Sequence, residues 1–113
     1  MIDLERIREA VERRSGARIT LFAWQQTPDV AAWGTVTHDG QADAIWGDGQ
    51  MQAQAIEGSV HLFCRNLSTG APEGVQAALA ELELSWRLDD VLYEQDTRLL
   101  HYVWIWREWG ALL

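Results

Sequence analysis

Cysteine is almost absent from this chain of 113 residues, which carries only Cys64. One thiol excludes an intramolecular disulfide and any zinc site built from several cysteines, so packing has to supply the stability. Long apolar runs are missing too. No stretch reaches the roughly 18 consecutive apolar residues of a membrane-spanning helix, and Met1-Ile2-Asp3-Leu4-Glu5-Arg6 lacks the basic-then-apolar order of a secretory signal. These absences predict a cytoplasmic protein with no membrane partner. Positive charge is scarce as well. Nine basic side chains against seventeen acidic ones leave a formal net charge of -8, which opposes tight, sequence-independent holding of a phosphate backbone and argues against a DNA clamp.

The motifs of common chemistries are also missing. Gly47-Asp48-Gly49 lacks the surroundings of a phosphate-binding loop, and His38, His61 and His101 fall on separate predicted strands with no ligand spacing to unite them. Cys64 has no CxxC partner and lies on the apolar side of its strand, as a small buried hydrophobe would. The carboxylates around Glu81–Glu83, Asp89-Asp90 and Glu94–Asp96 fit solvated helix and turn positions. No catalytic residue, metal site or cofactor is expected, and the protein is not expected to be an enzyme.

What is present reads as one α+β domain over residues 1–113. Leu4, Ile7 and Val11 recur at helical spacing among charged residues, and Ser15-Gly16 stops the helix. Ala17–Trp24 reads as a strand, Trp33–His38 as a second, and Asp39-Gly40 as a hairpin turn into a third around Ala42–Trp46. The alternation over Ala53–Arg65 predicts a fourth, with Ile56, Val60, Leu62 and Cys64 on one face. Pro72 opens a second helix carrying Val75, Ala78, Leu79 and Leu82, and two further strands, Ser85–Tyr93 and Arg98–Arg107, flank Glu94-Gln95-Asp96-Thr97. The order α-β-β-β-β-α-β-β implies a mostly antiparallel sheet of five to six strands with two helices on one face.

The unusual component is tryptophan. Seven are present, Trp24, Trp33, Trp46, Trp86, Trp104, Trp106 and Trp109, and at roughly 150–250 Å² each they bring more apolar surface than one small core requires. The last strand is apolar on both sides, so either it is covered twice or one face meets another chain. Tyr102, Trp104, Trp106 and Trp109 are the candidate interface residues. Gly47, Asp48, Gly49, Gln50 and Gln52 read as a flexible loop able to line a channel or to order on assembly.

Several runs together carry a resemblance: Trp33-Gly34-Thr35-Val36-Thr37, Ala44-Ile45-Trp46-Gly47-Asp48, Gly58-Ser59-Val60-His61-Leu62-Phe63, the Pro72 helix, and Tyr93 to Trp104. With the opening helix they make the chain resemble the tail terminator or tail-completion proteins of long-tailed phages and prophages. The resemblance covers nearly the whole chain. It implies an α+β subunit that forms a ring, usually a homo-hexamer, on the head-proximal end of the tail tube, stopping tube growth and meeting a head-completion or connector protein. DNA would then be passing cargo in the lumen, and the location would be the virion tail or neck after assembly in the host cytoplasm. The acidic balance and the lack of a coiled-coil seam predict a monomer or weak oligomer in isolation.

Two other readings compete. In one, Trp24, Trp33, Trp46, Trp86 and Trp104 line a small-molecule pocket, or even an active site, with a histidine or carboxylate as polar anchor. A deep aromatic cleft with His61 or His101 in it would favour that reading, and a flat aromatic face near the C-terminus would favour assembly. In the other, the chain is an adaptor subunit of a complex unrelated to phages.

Overall fold

The computed structural model describes residues 3–24, 29–65 and 70–111. Helix α1 spans Leu4–Ser15. The Asp3 carboxylate caps it by accepting the Glu5 N–H, and Gly16, in the left-handed region at φ 74°, ends it by donating to the Glu12 carbonyl. Its apolar stripe, Ile7, Ala10 and Val11, is buried. Helix α2, Ala71–Glu81, begins with Pro72 in its first turn and buries Ala71, Val75, Ala78 and Leu79.

Five strands form one sheet in the order β1-β2-β3-β5-β4. They are β1 (Arg18–Leu21), β2 (Ala32–Gly47), β3 (Gln50–Cys64), β4 (Ser85–Glu94) and β5 (Leu99–Ala111). Only the β1–β2 pair is parallel. The α+β class, the mostly antiparallel sheet and the two helices are as expected; the element order has three strands before the second helix where four were expected. Trp33–His38 and Ala42–Trp46 belong to one 16-residue strand. Asp39-Gly40 is an irregularity in its pairing with β3, where the register shifts between His38 and Gly40. Of that pair only Gly40 has a positive φ, whereas the favoured two-residue hairpin turns require it at the first position or at both. Asp48-Gly49 meets the requirement, with φ 53° and 75°, and is the real turn, closed by the pairing of Gly47 with Gln50. The expected flexible loop is therefore a tight turn followed by strand, with Gln50 and Gln52 both in β3.

Alternation along β3 and β5 sorts the sheet into two faces. Beneath the helices lie Ile56, Val60, Leu62 and Cys64 with Trp104 and Trp106, joined by Ile7, Val11, Val75 and Leu79 in one core. This corrects the interface assignment of the C-terminal aromatics. Trp104 and Trp106 are 0% and 1% exposed, and Tyr102 stacks on Trp104 at 5.6 Å against the same core. The Trp104 indole N–H donates to Gln76 of α2 (3.2 Å), the partner a buried indole needs. Trp109, on the opposite face by the same alternation, is exposed.

The molecule measures 53 × 26 × 23 Å. Its length comes from the β2–β3 hairpin, because β5 pairs with β3 only from Ala53 onward. The tip, with Ile45 and Trp46, is a two-stranded ribbon paired with no third strand among the described residues.

Candidate functional site

Among the described residues the second face of the sheet carries no helix, and it is built by register. Pairing places Trp33, Phe63 and His101 side by side across β2, β3 and β5, with Thr35, His61 and Val103 in the next row. The rings of the first row stack. Trp33 and Phe63 are 5.6 Å apart between centroids, Phe63 and His101 are 4.2 Å apart, and the Arg65 guanidinium sits 4.8 Å from the Trp33 ring. His61 is a diagonal neighbour of His101, and their Nδ1 and Nε2 atoms are 2.9 Å apart in a hydrogen bond across β3 and β5.

Two irregular segments rim this face. After β1 the chain turns at Phe22, whose φ of 69° is unusual for an aromatic residue, and the Trp24 indole N–H donates to the Gly34 carbonyl (3.0 Å). On the other side the β4–β5 turn brings Glu94 to 3.8 Å from His101 Nδ1, with Thr97 donating its hydroxyl to the same carboxylate. Between the rims lies a cleft of about 530 Å³ walled by Phe22, Trp24, Trp33 and Phe63, with His61 and Glu94 as polar groups. The irregularity in β2 serves it too. It turns the Asp39 carboxylate to accept hydroxyls from Thr37 and Ser59 at the cleft's margin.

Both imidazoles are biased toward the neutral form. Burial pushes His61 below its ordinary value, with the Asp39 carboxylate pulling weakly the other way. Burial does the same to His101, reinforced by His61, while Glu94 and Asp90 oppose it. A neutral imidazole pair can donate and accept hydrogen bonds to a ligand, and can take up a proton when the pH falls.

Of the five tryptophans expected around a pocket, Trp24 and Trp33 line this cleft. Trp46 is at the hairpin tip, Trp86 is on β4, and Trp104 is in the core. His38 is exposed on β2, away from the other two histidines. The pairing of His61 with His101 was not legible from spacing, because forty residues separate them and only the β3–β5 register joins them. Among the described residues no group of three histidine, cysteine or acidic side chains is placed to hold a metal ion. Among the same residues no helix is long and apolar enough to cross a membrane.

The remaining unusual surface is apolar. Strand β4, at the sheet edge, exposes Trp86, Leu88, Val91, Leu92 and Tyr93, and the distant hairpin tip exposes Ile45 and Trp46, the latter 62% accessible. Glu81 is paired with Arg13 and Asp89 with Arg87, so these carboxylates behave as ordinary surface groups. Compared with known proteins, the chain matches no family model and no curated sequence.

Proposed function

We propose that this chain is a structural subunit that works by forming a ring, and that its ring closes the head-proximal end of the tail tube of a long-tailed phage or prophage. The observation that carries the reading is the pair of separated apolar patches, β4 at the sheet edge and Ile45-Trp46 at the hairpin tip. A small domain has no folding reason to leave so many large apolar groups in water, and such patches mark contact surfaces. Two unlike patches on one subunit suit a heterologous contact, which closes into a ring when its rotation is right. A two-stranded ribbon is marginal by itself in water, so the tip gains by lying against another protein, here the tube or a neighbouring subunit. The resemblance noted in the sequence supplies the phage setting, the hexamer and the tail-tube and head-completion partners. The net charge of -8 suits a lumen that passes DNA without holding it.

The test is assembly on a template. Purified protein is incubated with preformed tail tubes and imaged, and its mass is followed by light scattering across a wide concentration range. Density added at one end of the tube supports the reading. No binding to tubes, together with a monomer at every concentration, overturns it.

One observation favours a second reading, a small-molecule-binding module. The cleft of about 530 Å³ falls within the roughly 300–1,000 Å³ of ligand pockets, and its aromatic walls and His61 match the arrangement expected of one. Saturable quenching of tryptophan fluorescence by planar aromatic solutes, lost in Trp33→Leu, would support this reading over assembly.

A further inference from the structure

The sheet has two edges of opposite design. At β1 the edge is plugged by α1, since the Ile19 N–H donates to the Glu12 carboxylate (2.9 Å) and Arg8 donates to the Ile19 carbonyl (3.3 Å). No further strand can add where side chains already occupy the backbone groups. At β4 the edge is open over ten residues, nine of them exposed. Charge divides the same way. Beside β1 a groove of about 740 Å³ is floored by the small residues Ala17, Ala32 and Ala71 and rimmed by Arg14 and Arg18, with Glu12 and Arg13 also on its wall but paired to Arg8 and Glu81. Arg14 and Arg18 are both exposed, and neither pairs with a carboxylate among the described residues. Beside β4, Glu94 and Asp96 lie at the turn into β5 with Arg98 closing it, and Tyr93, 55% exposed, points to the opposite face of the sheet from Glu94.

These opposite patches lie at one height. The register runs Arg18, Trp33, Phe63, His101, Leu92 straight across all five strands. Arg18 and the Leu92–Glu94 segment are thus the two ends of one row, roughly 19 Å apart at the usual strand spacing. A rotation about an axis along the strands brings the acidic end of one copy against the basic end of the next. An isologous contact would instead place each patch against itself or invert the neighbour.

We infer that copies of this chain join head to tail, the Tyr93–Asp96 turn of one seating in the Arg14–Arg18 groove of the next. The inference rests on the ring-forming reading and names its contact. Glu94 and Asp96 meet the two guanidinium groups, which hold carboxylates in a planar fork, and Tyr93 fills the space above the alanines. All hairpins then point the same way, forming a crown of Trp46 side chains on one side of the ring.

Two experiments decide it. Arg18→Cys with Asp96→Cys in one chain, oxidised at high protein concentration, gives a ladder of covalent multimers running past the dimer if the contact is head to tail. Cys64, 1% exposed, stays out of the reaction. Products that stop at the dimer, or no crosslinking, overturn the inference. Charge exchange supplies the second test. Arg14→Glu/Arg18→Glu and Glu94→Arg/Asp96→Arg, made without the added cysteines, each place like charges across every contact, so each alone should associate at least tenfold more weakly than wild type in sedimentation at the same high concentration. Their equimolar mixture should recover as alternating copies. A mixture no better than its components rejects the contact. If wild-type protein caps tail tubes while both tests fail, the assembly reading stands and only this contact falls.

Discussion

The Trp106 indole lies across Gly58, its register partner on β3, so closely that a Cβ at Gly58 would collide with the ring and with the Thr37 carbonyl. A bare backbone at position 58 is what lets this indole lie flat beneath the helices.

Gly58→Val should therefore destabilise the fold by at least about 2 kcal/mol, since the core must move to admit the new side chain. Trp106→Ala should cost about 3–5 kcal/mol through the cavity it leaves. Urea unfolding followed by circular dichroism checks both. A loss below about 1 kcal/mol for Trp106→Ala would mean that the indole is not core.

Gln76→Ala leaves the Trp104 indole N–H without its acceptor and should cost about 1–2 kcal/mol, read as a lower urea midpoint. Glu73→Ala, on an exposed position of the same helix, should change little and serves as the reference.

Stability should fall with acid through the histidine pair. Both folded-state pKa values lie below the ordinary imidazole value, so between the two the unfolded chain binds more protons than the folded one. Stability then rises with pH across that window and is lost as the pH drops below about 6.5. Asp39, Glu94 and Asp90 face the pair and soften the loss by favouring the charged forms. In His61→Gln the slope of urea midpoint against pH over this window should flatten. An unchanged slope would show that other groups dominate.

The exposed aromatics should behave in the opposite way to Trp106. Trp46→Ser and Leu92→Ser remove side chains that are 62% and 46% exposed, so each should cost no more than about 1 kcal/mol, well below Trp106→Ala. If the patches are contact surfaces, both should weaken capping of tail tubes at least tenfold in a pelleting assay. Normal capping by both variants would move the contact elsewhere.

The local pattern of the sequence determined much of this protein. Leu4, Ile7 and Val11 with the Gly16 stop, Pro72 ahead of Val75 and Leu79, and the alternation from Ile56 to Cys64 each specify their element, because helix and strand periods act between near neighbours. Asp39-Gly40 misled because a turn dipeptide also suits a pairing irregularity. Whether the chain reverses there depends on whether a long partner strand continues alongside it, and β3 does. The fate of Trp104 and Trp106 was likewise undetermined. Alternation sets them on the face opposite His101, but only the placement of α1 and α2 decided which face would be the core. The same holds for the candidate site. His61 and His101, Arg18 and Glu94 are far apart in the chain, and only the sheet order β1-β2-β3-β5-β4, a long-range arrangement fixed by burying one face under two helices, brought the first pair into contact and set the second on opposite edges of the sheet.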